Sequence, residues 1–215
     1  YERPNILKPG SASYNTCAKV YYEELEKVMG VSELYNITPF YDGALPSGIT
    51  NQECYPNIMS ALDSYHNAVE TNTKTSYKVD ENAKWFIQYW NEMPQSEAFS
   101  VMAENYGDRF VALDLNAEAS KYAKWDTDYF AGRPYIFCML NNSGGHNGMF
   151  GRLESTMNSY FNALANGNNI QGIGATPEGI ENNTILYEML FELPWMDPAS
   201  RPTADKWLED YTHAR

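Results

Sequence analysis

Asn169-Ile-Gln-Gly-Ile-Gly-Ala-Thr-Pro-Glu-Gly-Ile-Glu-Asn-Asn183 is the stretch whose reading decides the fold. It starts as an apolar, glycine-rich run ending at Ala175, turns at Thr176-Pro177, and reaches Glu178 just beyond the turn. From about Asn183 to Leu190 the apolar spacing becomes helical. A short apolar run, a turn bearing a carboxylate and then a helix is how a βα unit presents an acid at the carboxyl end of a strand. Taken alone, the segment is equally well served if Glu178 only caps the following helix and interacts with its dipole. What the neighbouring segments carry separates the two accounts.

Working outward, the same alternation recurs. Pro134–Leu140 is strand-like, and Asn141-Asn142-Ser143-Gly144-Gly145-His146-Asn147-Gly148 follows as an amide- and glycine-rich loop. Met149–Ala165 places Phe150, Leu153, Met157, Phe161 and Leu164 on one helical stripe. Further upstream, strands are predicted at Ser32–Thr38, Trp85–Trp90 and Arg109–Leu115, with helices at Asn15–Met29, Tyr55–Glu70 and Ser96–Asn105. On the first of these helices Ala18, Tyr21, Tyr22, Leu25 and Val28 share a stripe, and Gly30 is a natural stop. Strand and helix alternate about five times, which implies a parallel sheet with helical crossovers. An open doubly wound sheet and a (β/α)8 barrel both satisfy that pattern, although five strands are too few to close a barrel. No G-x-G-x-x-G or P-loop is present, which disfavours a nucleotide-binding fold. The pattern breaks near Asp197–Pro202 and resumes as a helix over Thr203–Arg215.

Composition narrows the function. The chain has 215 residues, enough for one sizeable core, and a net charge of −13, which argues against nucleic acid and anionic membrane surfaces as partners. No apolar run is long enough to span a membrane. Seventeen Tyr and five Trp pack mainly as core, but aromatics beside Asn and Gln also suit a sugar. With Cys17, Cys54 and Cys138 the count is odd, so at least one thiol has no partner within the chain. The chain opens at Tyr1 without Met and stops inside a helical pattern, which reads as a piece of a larger protein.

The residues just after each strand are Asp42, Trp90 with Asn91, Asp114 with Glu118, Asn142 with Gly144, Gly145 and His146, and Glu178. In a barrel these converge on one face. Paired carboxylates with amides and aromatics are what glycoside hydrolysis requires: one acid protonates the leaving oxygen while the other attacks the anomeric carbon or activates water. Each has a plainer account: Trp90 and Asp114 as core, Gly144-Gly145 as a turn, His146 as a surface or core histidine. Neither a metal-ligand spacing nor a G-x-S-x-G elbow is present, so a carboxylate mechanism without metal or organic cofactor remains.

Several blocks resemble the α-N-acetylglucosaminidases, glycoside hydrolase family 89. They are Glu33–Asn36 through Phe40, Leu113–Leu115 with Ala117-Glu118, Pro134–Leu140, Asn142 with Gly144-Gly145, Gly148 with Phe150-Gly151, and Gly172 with Pro177–Ile180. They are collinear over nearly the whole chain. The resemblance implies the second half of a (β/α)8 TIM barrel over residues 1–196, with 197–215 entering a helical C-terminal domain and the other half of the barrel lying elsewhere in the protein. It implies a retaining exo-glycosidase acting on terminal α-linked N-acetylglucosamine of heparan-sulfate- or mucin-type glycans. A secreted, periplasmic or lysosomal location goes with that.

On the family's motifs, Pro177-Glu178-Gly179 marks Glu178 as nucleophile, and Phe40-Tyr41-Asp42 falls where a Phe-x-Glu acid/base stands. Trp90, Asp114, Glu118, Asn142, Gly144, Gly145 and His146 would then surround the sugar. Asp42 departs from the pattern, being one methylene shorter than Glu and reaching roughly 1.5 Å less far. Retaining geometry needs the carboxyls about 5–5.5 Å apart, so either the loop compensates or this is a weak or inactive, glycan-binding relative. Asn141 and Phe137 also depart, where animal members carry His and Trp. Asn36, Asn141 and Asn182 begin N-x-S/T patterns, two of them at or beside predicted site loops.

Overall fold

The computed structural model describes residues 6–30, 32–37, 48–50, 53–54, 56–58, 60, 84–89, 96–119, 130–142, 151–166, 169–179 and 182–214. Five strands and five longer helices lie in them, in the order α1 (Ala12–Met29), β1 (Leu34–Ile37), β2 (Lys84–Tyr89), α2 (Ser96–Tyr106), β3 (Phe110–Asp114), β4 (Tyr135–Met139), α3 (Leu153–Ala165), β5 (Ile170–Ala175), α4 (Thr184–Glu192) and α5 (Ala204–His213). The strand order is β1-β2-β3-β4-β5, following the sequence without a switch. The pairs β1/β2, β3/β4 and β4/β5 are parallel. A doubly wound sheet reverses its strand order partway across, and this one does not, which leaves the barrel-type arrangement. Of the helix expected over Tyr55–Glu70, residues 56–58 and 60 are helical and the remainder lies outside the described residues.

The chain divides into two compact units, Tyr1–Ile87 with Glu92–Val111, and Gln88–Asn91 with Ala112–Arg215. In the first, α1 starts three residues earlier than its periodicity predicts, because Ser11 Oγ accepts the Tyr14 N–H at 3.2 Å and caps it. It ends at Gly30, whose φ of +79° a side chain would resist. Tyr22 meets Tyr35 edge-on at 6.5 Å, and Tyr35 meets Trp85 at 5.3 Å. The expected α1 stripe is only partly realised: Ala18, Tyr22 and Leu25 are half-buried, while Tyr21 and Val28 are exposed. No residue of α1 is buried, so its amphipathic pattern exceeds the cover that the described residues supply.

In the second unit the core lies between the sheet and α3. Phe137 meets Tyr160 at 5.5 Å, Phe130 bridges Tyr89 and Tyr135 at 5.1 and 5.0 Å, and Met139 lies against Thr156. Most of the aromatic load described here is thus packing. On α3, Met157 and Phe161 of the expected stripe are buried, Leu153 and Leu164 are half-buried, and Thr156, Ser159 and Tyr160 join the buried face. Helix α5 docks within the same unit: Trp207 Nε1 donates to Glu192 at 2.7 Å and the Tyr211 hydroxyl to Glu188 at 3.3 Å.

Gly151 shows why one residue of the recognised blocks is glycine. A Cβ there would stand 2.7 Å from Leu186 Cδ1 and 3.1 Å from its Cγ, and Leu186 is fully buried on α4. Gly151→Ala should therefore destabilise the protein by about 1–3 kcal/mol through overpacking. In a Leu186→Ala background the same change should cost much less, and a double-mutant cycle by urea unfolding reads the difference.

Candidate active site

Three turns beyond the carboxyl ends of β3, β4 and β5 are tied to one another by backbone bonds. Ala117 N donates to Cys138 O at 3.1 Å, and Thr176 N to Met139 O at 2.9 Å. The Thr176 hydroxyl lies within reach of Leu115 O at 3.2 Å and Met139 O at 3.3 Å. One threonine thus holds all three strand ends together.

Glu178 follows two residues later and is exposed. Its backbone N–H donates to Asn142 Oδ1 at 3.0 Å. It is not the cap of α4: that place belongs to Asn183, five residues on. The plainer account of this carboxylate, as a helix cap, therefore fails on geometry. Asn142 is fully buried, and both ends of its amide are engaged, because Nδ2 donates to Asn182 Oδ1 at 2.7 Å. Asn182 donates to Gly179 O at 2.7 Å and accepts the Tyr187 hydroxyl at 2.6 Å.

The turn carrying these amides is tight. Asn142 N donates to Leu140 O at 2.7 Å across Asn141, whose φ is +58°. A left-handed central residue in a three-residue turn is strained for most side chains and easiest for glycine or asparagine. Glu118 supports the strain from behind: its Oε1 accepts Leu140 N at 3.2 Å and Asn141 N at 2.8 Å. Its own carbonyl takes the Ser155 hydroxyl at 2.7 Å, anchoring it to α3. Glu118 is 1% exposed, and Oε2 has no hydrogen-bond partner among the described residues. Burial raises its pKa above the ordinary glutamate value, while the two N–H bonds and the charge of Arg152 offset only part of that.

Asp114 stands elsewhere. It pairs in register with Phe137, whose ring meets Tyr160 of α3, so it lies on the helix-facing side of the sheet, and it is buried. Its charge adds to the effect of burial in raising the pKa of Tyr135, and it helps push the Cys138 thiol up to about 12. Asp114 and Glu118 are both buried among the described residues. Asn141 is buried and Asn182 is bonded on three sides, so two of the three N-x-S/T matches sit where an accessible acceptor does not. Asp42, Trp90, Gly144, Gly145 and His146 lie outside the described residues. Asn182 and Tyr187 were missed as members of the cluster; only the nearness of Asn182 to Glu178 in the chain hinted at it.

A parallel sheet in sequential order, with carboxylate, amide and phenol groups gathered beyond its strand ends, defines a β/α-barrel type of domain whose working face is that end. Residues 1–197 match the sequence profile of the α-N-acetylglucosaminidase (NAGLU) TIM-barrel domain, and the chain belongs to that family. It is 29% identical over 219 residues to the human α-N-acetylglucosaminidase, an alignment covering 98% of this chain and 27% of the human protein. A family 89 glycoside hydrolase from Clostridium perfringens, solved in complex with PUGNAc, superposes with a TM-score of 0.77 at 29% identity, over 98% of this chain and 22% of that one. A form of the clostridial enzyme with two Glu→Gln substitutions, bound to its substrate GlcNAc-α-1,4-galactose, superposes with a TM-score of 0.76 at 29% identity, over 96% of this chain and 21% of that one. The chain therefore spans about a quarter of the length of these relatives.

Proposed function

We propose that the protein is a retaining exo-α-N-acetylglucosaminidase, with Glu178 as nucleophile and Asp42 as acid/base. Its substrates are glycans of heparan-sulfate or mucin type bearing terminal α-linked N-acetylglucosamine. The observation that carries the reading is the placement of Glu178: an exposed glutamate at the carboxyl end of β5, held by its backbone from a buried asparagine at the end of β4. Family membership and the sugar complex of the clostridial relative support it.

In the first step a Glu178 oxygen attacks the anomeric carbon from the face opposite the leaving group, as Asp42 gives its proton to the glycosidic oxygen. The product is a β-linked glycosyl ester. Asp42, now a carboxylate, then takes a proton from water as the water attacks the same carbon and Glu178 leaves, restoring the α configuration. Residues 1–196 form the second half of the barrel on this reading, and 197–215 begin the helical C-terminal domain. Trp90, Asp114, Glu118, Asn142, Gly144, Gly145 and His146 surround the sugar on this reading, and Asn142 and Glu118 also hold backbone N–H groups.

The test separates the two carboxylates by leaving-group dependence. In the full-length protein, Asp42→Ala should lose turnover of GlcNAc-α-1,4-galactose by about 10²-fold or more, yet still form the glycosyl ester from a dinitrophenyl α-glycoside, whose leaving group needs no proton. Asp42→Glu should retain activity, and the sugar first released should be the α anomer by NMR. A β anomer contradicts retention. Turnover by Asp42→Glu but none by the parent chain would make this a glycan-binding relative.

A further inference from the structure

We propose that Tyr187 and Asn182 are positioning residues for Glu178, holding the turn after β5 at a fixed offset from the end of β4. This rests on the reading of Glu178 as nucleophile. Thr176 already ties the β5 turn to Met139 and Leu115, so the fold has its fastening without a second one. What the second set of bonds adds falls two residues further along, on Glu178 itself.

The circuit has one polarity. The Glu178 N–H can only donate, so the carbonyl end of Asn142 must face it and the amide end must face Asn182. Asn182 then has to present Oδ1 to Asn142 and Nδ2 to Gly179 O. Tyr187 must in turn donate to Asn182 Oδ1. The bonds thus run from the first half of α4 through Asn182 to Asn142 at the end of β4 and on to the β5 turn. Without the Tyr187 hydroxyl, Asn182 loses its second donor, and the rotation of Asn142 is no longer restrained from the α4 side. An exposed nucleophile depends on such support, because small displacements of a reacting atom cost about 10²-fold.

The experiment uses the full-length protein and 5-fluoro-α-N-acetylglucosaminyl fluoride. The nucleophile displaces fluoride from the anomeric carbon to form a glycosyl ester, and the ring fluorine slows hydrolysis of that ester enough for peptide mapping. In the parent protein the label should sit on the peptide containing Glu178. Tyr187→Phe and Asn182→Ala should be labelled at the same residue about 10- to 100-fold more slowly, with the saturation constant for the reagent unchanged. Tyr211→Phe, which removes a comparable hydroxyl bond to Glu188 on the α5 side, should be labelled at the parent rate. Labelling of both Tyr187→Phe and Asn182→Ala at the parent rate would overturn the inference while leaving Glu178 as nucleophile. A label on any other residue would overturn the nucleophile reading first, and the inference with it.

Discussion

Glu178→Gln in the full-length protein is expected to lower kcat on an aryl α-N-acetylglucosaminide by at least about 10⁴-fold, the scale on which removal of a covalent nucleophile acts. The melting temperature should stay unchanged. Both halves follow from the geometry. The side chain is exposed, so it contributes little burial, and the bond that fixes the residue uses its backbone N–H, which glutamine keeps. The amide is isosteric with the carboxylate but carries no charge to meet an oxocarbenium-like centre and forms no stable ester. A helix-capping role would predict the reverse, a small loss of stability with full turnover, and the N-cap position is that of Asn183. Kinetics beside a thermal melt decide it, and parent-like turnover in the variant would remove Glu178 from the mechanism.

The other large effect belongs to a buried carboxylate. Glu118→Ala should destabilise the protein by about 3 kcal/mol, because it leaves the buried N–H groups of Leu140 and Asn141 without their acceptor and opens a void behind a strained turn. Turnover should fall with it, since Asn142 is the next residue along. Glu118→Gln keeps the accepting oxygen and should keep activity. The two forms differ in how stability depends on pH. Burial raises the Glu118 pKa in the folded state, so the folded protein holds that proton more tightly than the unfolded chain does. The stabilisation this provides is complete below the ordinary glutamate range and is lost as pH rises through the raised value. Glutamine has no such loss, so the stability of Glu118→Gln relative to the parent should improve from about pH 4 to about pH 7. Urea unfolding across that range measures it, and a parallel pair of curves would contradict a raised pKa.

Much of the architecture was legible in the amino-acid order. The apolar runs at Trp85–Tyr89, Phe110–Leu113 and Tyr135–Met139 sit in β2, β3 and β4 because strands of a parallel sheet, buried at most positions, leave a readable imprint. Helix ends were less legible. Ser11 extends α1 by a side-chain bond, which apolar periodicity does not register, and α3 begins at Leu153 rather than Met149. The α1 stripe fared worst, since a sequence states which face is apolar but not whether anything covers it.

By itself the sequence determined the βα order, the family, and the candidacy of Glu178 through its Pro177-Glu178-Gly179 setting. Only the tertiary structure decided which polar residues share its neighbourhood. Asp114 at the end of β3 and Glu178 beyond β5 looked alike as acids, yet pairing with Phe137 turns Asp114 toward the helices and into the core. The partners of Asn142 lie 36 and 40 residues away, at Glu178 and Asn182. Glu118, 22 residues from the N–H of Leu140, likewise became the support of a strained turn. Side-chain periodicity is set locally and survives in the sequence, whereas hydrogen-bond partners are chosen by strand register and turn geometry, which exist only once the strands have paired.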